Sequence, residues 1–564
     1  DETPIVKIVL TPDNQRLVAI AQSGNVKVLR TSDWQPVTSM ESLPGSATDA
    51  FIGDAGQTLY VSLLNGGYAS RALPDAVRRV NRDRDDAVDP VWLDLGAAAL
   101  AKESELTQSA DASTLTRYDV ARNVSVDGRI SQPNEADHYQ WKARKGEVWA
   151  IDANAMGAGR LDPIVSILDE DQNPVVQVRL QAVRDSYFTF RGKNSDQIND
   201  FRIFNWQEMN LGEYLYAAGE VTRLQMHPRG PDSGFDVYPG EGKRWTYFGT
   251  SGTTHALGEP AYIVRPLPPG SETLANGLPV FDVAYVNDDD PHRSAGKNSR
   301  LIFRAPDDGM FTVRIADTRG EGGDEYDYRL LIRPAKPDFK PITKQISKPL
   351  HPGVGREFQV MIDRTDGYEG PVTFELHDLP ERLVSNFPVT VEAGQRFATG
   401  MIWAASNEIG WEGDLEPKLT AWAMINGRRV QYEAGSAGKL TFDPKPANVI
   451  PVISSLDGDS SPHERWMLSV RRGETVSARV SITRQNDFKG EVSFGKERSG
   501  KNASQGVYVD NIGLNGLLIL SGNDEREFFI TADKTAKPGE RSFFLTASTD
   551  GGLTTHPITV KVLP

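Results

Sequence analysis

The stretch Phe281–Pro334 reads FDVAYVNDDDPHRSAGKNSRLIFRAPDDGMFTVRIADTRGEGGDEYDYRLLIRP. Leu301 and Phe303 alternate with polar neighbours, and Pro306-Asp307-Asp308-Gly309 reads as a turn. Phe311, Val313 and Ile315 resume the alternation, and Tyr326, Tyr328, Leu330 and Ile332 repeat it. A period of two places every second side chain on one face, and Asp, Gly and Pro interrupt it where the chain turns. The stretch therefore predicts antiparallel strands with one buried face.

Composition sets the frame around it. A chain of 564 residues holds several domains, because single cores seldom grow past ~250–300 residues. With 51 Gly and 35 Pro it suits many short strands and turns. No apolar run approaches the ~20 residues of a membrane-spanning helix. The net charge of -15, with both signs interspersed, argues against nonspecific nucleic-acid binding, which needs a basic surface. Cysteine is absent, which excludes disulfides, Cys-ligated metals, covalently attached haem and a thiol nucleophile. Asp1-Glu2-Thr3 does not open a signal peptide, so a processed or truncated start is expected.

Residues 1–75 hold two similar units: Ile5–Ile20 followed by Ser23–Leu29, and Ala47–Leu63 followed by Asn65-Gly66-Gly67. Each reads as strand, Asp-containing turn, strand, Gly turn, strand. The pattern resembles β-propeller blades of the WD40-like kind. Two blades do not close a propeller, so residues 1–75 are either part of a larger propeller, the favoured reading, or a small two-sheet domain. Residues 76–126 read as a linker, charged at Asp75–Asp89, with a possible short helix in the Ala-rich Gly96–Ser104.

From residue 127 the pattern changes. Gly128-Arg129-Ile130, Glu135-Ala136-Asp137-His138-Tyr139-Gln140-Trp141, Lys145-Gly146-Glu147 and Leu161–Asp169 are followed, after a gap, by the strands of the opening stretch. In this order the motifs resemble the bacterial pre-peptidase C-terminal (PPC) domain over residues 127–190 and 281–333. That resemblance implies a jelly-roll-like β-sandwich of an exported protein. Its departure from the family is a long insertion, 191–280, within a domain spanning 127–334.

The remainder carries a repeat. Arg364-Thr365-Asp366-Gly367-Tyr368-Glu369-Gly370 returns 120 residues later as Arg484-Gln485-Asn486-Asp487-Phe488-Lys489-Gly490. Alternating strands precede both copies. Two Ig-like sandwiches are expected, at 335–445 and 462–564, joined by a linker at 446–461. The predicted fold class is thus all-β and multidomain.

Three groups of residues are candidates for chemistry. Asp288, Asp289, Asp290 and Asp317 lie on acidic turns and supply the hard oxygens that Ca2+ takes; the same residues equally serve as turn caps. Trp206, Tyr214, Tyr216, Trp245 and Tyr247 in the insertion offer a stacking or docking surface, or the insertion's own small core. His227, His255 and His292 flank the insertion as possible metal ligands. Catalytic signatures fail: His463-Glu464 lacks the second His of a zincin, and Ser233 is misplaced for a nucleophile elbow. The expected function is a non-enzymatic structural or binding protein of the bacterial cell envelope, periplasmic or surface-exposed, meeting other proteins or glycans. Alternatives are the accessory region of a larger exported enzyme or redox protein, and a carbohydrate-binding protein.

Overall fold

A computed structural model describes residues 5–11, 16–21, 25–31, 36–39, 47–53, 58–63, 68–73, 98–102, 107–108, 117–120, 122–157, 159–190, 200–228, 234–405, 415–456, 466–496, 498–510 and 515–564, with Ser23, Leu43 and Gly513. The chain divides into two compact units, Asp1–Asp89 and Pro90–Pro564. Nearly every described element is a strand, and the protein is all-β and multidomain.

In the first unit Ile5–Leu10, Arg16–Ala21, Val26–Arg30 and Pro36–Ser39 form one sheet, and Ala47–Gly53, Thr58–Leu63 and Tyr68–Ala72 a second. Val18, Ile20 and Val28 from one sheet share a core with Ala50, Leu59 and Val61 from the other. The Asp-containing turns at 12–15 and 54–57 and the charged run at 75–89 lie outside the described residues.

The second unit begins with a sandwich. One sheet runs Val286–Asn287, Pro163–Leu168, Gly309–Asp317, Ala136–Ala143, Arg117–Asp119, Thr107–Gln108. The other runs Ser299–Arg304, Val148–Ala155, Asp327–Pro334, Val124–Arg129, Ala99–Lys102. Antiparallel registers such as Trp141↔Phe311 and Ile151↔Ile332 join segments far apart in sequence. Trp141, Trp149, Phe303, Phe311 and Tyr328 fill the space between the sheets. Burying a large apolar side chain is worth about 1.5–3 kcal/mol, so these few residues hold the distant segments together.

The sandwich differs from expectation at its first edge. Ala99–Lys102 is a strand, not a helix, and pairs in parallel with Val124–Asp127. The open sheet edge offers hydrogen-bond partners that outweigh the helix preference of alanine. Part of the expected linker is thereby drawn into the sandwich.

The excursion from the sandwich also begins earlier and ends later than 191–280. Its strands are β1 (Val176–Tyr187), β2 (Asp200–Phe201), β3 (Tyr214–Ala217), β4 (Glu220–Met226), β5 (Phe235–Val237), β6 (Pro260–Leu267) and β7 (Val280–Ala284). They form one sheet in the order β2-β5-β4-β3-β6-β1-β7. Val178↔Val283 and Leu180↔Phe281 tie its first strand to its last. Phe281–Ala284, the start of the opening stretch, therefore belongs to this sheet. The sandwich resumes at Val286.

Two Ig-like modules follow. In the first, Asp338–Lys344, Gly355–Thr365, Phe397–Ala404 and Leu383–Ser385 face the sheet Val389–Val391, Val372–Leu376, Lys418–Ile425, Arg428–Ser436. In the second, Val449–Ser454, Thr475–Arg484, Glu525–Ala532 and Val507–Asp510 repeat the order of the first sheet. Val449–Ser454 had read as linker. Its alternate residues Val449 and Ile453 are buried, and it pairs with Arg479–Arg484. The modules share an edge through Gly355↔Thr554. A side chain at Gly355 would meet Thr554 Oγ1 at 2.4 Å, so only glycine permits this approach. Met401, Trp403 and Phe544 form a small apolar cluster across the contact.

Candidate functional site

The five aromatics of the predicted surface separate into different environments. Trp245 is buried and packs against His292, with ring centroids 4.5 Å apart. Trp206 is half-buried over Phe235, centroids 6.3 Å apart. Tyr214 meets Tyr247 edge-on, and Arg223 lies over the Tyr214 ring at 5.5 Å. Burial raises the pKa of Tyr214 and of Tyr247, against the pull of Arg223. These four rings serve packing. Tyr216 is the exception: it stacks on Phe281 at 3.9 Å and lines an open groove.

The acidic residues are also dispersed. Asp290 accepts from the Ser294 and Ala295 amides, and Asp289 pairs with Arg293 at 2.6 Å. Asp317 accepts from the amides of Asp162, Arg319 and Glu321. Each is a loop cap. Among the described residues, no group of three or more His, Asp or Glu side chains is placed to hold a metal ion. Asp288 differs again. Its Oδ1 is buried without a hydrogen-bond partner, and burial, followed by the charges of Asp289 and Asp162, raises its pKa.

Tyr216 and Asp288, read from the sequence as members of separate groups, line the same groove. The groove has a volume of about 350 Å3 and follows β7 from Phe281 to Ala284, with Ser251 and Val286 on its other walls. Sequence reasoning missed it because it lies where the excursion returns to the sandwich, between residues more than thirty positions apart.

The three histidines do not converge. His227 Nε2 meets Asp533 Oδ2 at 3.0 Å, and His292 is covered by Trp245. His255 is buried between two carboxylates, with Nε2 2.8 Å from Glu220 Oε2 and Nδ1 3.0 Å from Glu259 Oε1. Arg244 donates to both Glu220 oxygens, at 2.5 and 2.8 Å, and its guanidinium lies 4.9 Å over Phe201. Burial opposes ionisation of Glu220, but Arg244 and His255 outweigh it and lower its pKa. Burial likewise opposes protonation of His255, and Glu220 and Glu259 outweigh it and raise the pKa. Both ring nitrogens face carboxylates, so the charged imidazolium is the form that satisfies them. This quartet is a structural ion network, with His255 held as a cation and not as a base. Ser233 and His463 lie outside the described residues.

The excursion is locked to both Ig-like modules. Arg498 of the second module donates to Asp236 Oδ2 at 2.8 Å and to the Gly240 carbonyl at 3.0 Å. Gln395 of the first module reaches Tyr238 Oη at 3.0 Å and Gln505 Oε1 at 3.1 Å, and Gln505 donates to the Gln225 carbonyl at 2.6 Å. Arg541 pairs with Glu392 at 2.6 Å. A polar cavity of about 150 Å3 sits at this junction, but its charged walls are already paired.

No family model matches the chain, and no curated protein matches it. Among solved structures, a Porphyromonas gingivalis W83 protein of unknown function is similar at 10% identity over 40% of this chain and 99% of its own, with a TM-score of 0.16. Fibronectin(III)-like modules of Clostridium thermocellum CbhA match at 12% identity over 40% of this chain and 93% of theirs, with a TM-score of 0.12. Domains 4–9 of the surface layer protein SbsC match at 13% identity over 63% of this chain and 48% of theirs, with a TM-score of 0.18. At these scores the likenesses carry no functional argument.

Proposed function

We propose that this chain is a non-enzymatic structural and binding protein of the bacterial cell envelope, acting outside the cytoplasm through protein–protein contacts. The sandwich is read as PPC-like and residues 1–75 as partial propeller blades. The observation that carries the reading is the junction of Arg498, Gln395 and Gln505, which joins the excursion sheet to both Ig-like modules. Such a junction fixes the orientation of surfaces on separate modules, which is what a scaffold requires. No helix among the described residues is long and apolar enough to cross a membrane.

Cross-linking of the full chain in its native envelope, read by mass spectrometry, tests this. A reproducible set of envelope proteins linked to the Pro90–Pro564 unit is expected. Discovery of an upstream catalytic or haem-binding segment in the intact gene product, with these modules linked only to it, would overturn the reading in favour of an accessory region.

A further inference from the structure

Among the described residues, the groove beside Tyr216 is bounded by the unpaired edge of β7, the last strand of its sheet. The register decides which of its backbone groups face the groove. Ala182 N donates to Pro279 O at 3.0 Å, and Tyr285 N donates to Val175 O at 2.9 Å. Between these positions Gln181 opposes Val280, Leu180 opposes Phe281, Arg179 opposes Asp282 and Val178 opposes Val283, with a bulge before Val176↔Ala284. Hydrogen-bonded and non-hydrogen-bonded pairs alternate along an antiparallel ladder. Val280, Asp282 and Ala284 therefore turn their N–H and C=O groups away from β1.

Edges of this kind are normally blunted with charge or proline. The sandwich edge Ser299–Arg304 carries Arg300 and Arg304, and the module edge Arg428–Ser436 carries Arg428, Arg429 and Glu433. The β7 sequence VFDVA has one charge, Asp282, which Arg179 neutralises through bonds of 2.7 and 2.8 Å. The edge is left apolar and open, beside a stacked ring pair and the carboxylate of Asp288.

We propose that β7 accepts an extended segment of another protein as an added strand, and that this segment carries a Lys or Arg that meets Asp288. The inference rests on the scaffold reading and names the partner class for it. Main-chain hydrogen bonds to Val280, Asp282 and Ala284 supply affinity, and alternate side chains supply selectivity. Apolar residues of the segment cover Tyr216 and Phe281. Charge decides the occupant. A second copy of this chain carries the same net negative charge, and like-charged partners repel on approach. The net charge of -15 favours a cationic guest.

The test uses the full chain and three fluorescein-labelled nonapeptides, alternating Val with Lys, with Thr and with Glu. Saturable binding of the Lys peptide is expected, with hydrogen-exchange protection at Val280, Asp282 and Ala284. Asp282→Pro removes one outward N–H and Asp288→Asn removes the charge. Each is expected to weaken binding about tenfold or more, with the melting temperature of Asp288→Asn unchanged as the folding control. Equal binding of all three peptides without protection at those amides would overturn the proposal. So would dimerisation that protects them, or binding of a neutral oligosaccharide panel that Tyr216→Ala abolishes while the Lys peptide stays unbound. If native envelope cross-links persist unchanged in Asp282→Pro, the strand proposal fails and the scaffold reading stands.

Discussion

Arg364 and Arg484 hold equivalent turns in the two Ig-like modules. Arg364 Nη1 donates to the Gly370 carbonyl at 2.5 Å and Nη2 to the Gln395 carbonyl at 3.0 Å. Arg484 makes the same bonds to Gly490 at 2.6 Å and Asn523 at 2.9 Å. Each guanidinium lies over the aromatic ring of its turn, Tyr368 at 5.5 Å and Phe488 at 5.7 Å. The turns bend back through two consecutive left-handed residues, Asp366-Gly367 and Asn486-Asp487, the conformation these residue types tolerate best. Gly370 and Gly490 are required because a Cβ there would meet the Tyr368 hydroxyl at 2.6 Å and the Phe488 ring at 2.8 Å.

Arg484→Ala should cost about 2–3 kcal/mol in urea unfolding, the scale of hydrogen bonds from a charged donor. Arg484→Lys should recover less than half, because an ammonium cannot span carbonyls that a planar fork reaches together. Gly490→Ala should destabilise by about 1–3 kcal/mol through overpacking against Phe488. Full recovery by lysine would show that charge, and not the fork, sets the turn.

Removing one partner of the buried quartet strands a charge. Glu220→Gln leaves Arg244 and His255 without their shared carboxylate and should cost about 3–5 kcal/mol. Replacing Glu220 and Arg244 together by Met should recover much of that loss. A thermal melt of the single and double variants decides it, and a larger loss in the double variant would contradict this account.

The quartet also predicts an alkaline weakness. The pKa of His255 is raised in the folded state, so its contribution is complete below the unfolded value of about 6.5. It is lost as pH rises through the folded value. The acid side behaves oppositely. Burial opposes the charge on Asp533, but bonds from His227 and Thr535 prevail and lower its pKa to about 2. Its contribution is complete above the unfolded value of about 4 and fades as pH falls towards about 2. Melting temperature should fall on both sides of a plateau, and His255→Phe should flatten the alkaline limb, whereas Asp533→Asn should flatten the acid limb.

Calcium has no gathered ligand set among the described residues. Excess EDTA should leave the melting temperature of the full chain unchanged. A clear fall reversed by Ca2+, but not by Mg2+, would show that the Asp288–Asp290 loop holds an ion.

The strands were legible wherever burial alternated. Leu301 and Phe303, and Val313 and Ile315, announce their faces because each pair is buried on one side of its strand while the residue between them, Ile302 or Arg314, is less buried. The repeat was legible because Arg364 and Arg484 sit in turns whose geometry restricts residue choice. Ala99–Lys102 was not legible, since its state is decided by a partner strand and not by its own residues. Val449–Ser454 was hidden by prolines that suggest a linker, although proline is acceptable on an edge strand. Tyr216 and Asp288 were each noticed, but their shared groove depends on where β7 returns to the sandwich.

The central claim is that the excursion and both modules form one locked block. Native-state hydrogen exchange of the full chain tests it most directly. The prediction is that β4, β5 and the strands Gly355–Thr365 and Thr475–Arg484 exchange through one common opening, and that Arg498→Ala releases β4 and β5 to a lower-energy opening. Independent, faster exchange of β4 and β5 in the unaltered protein would contradict it.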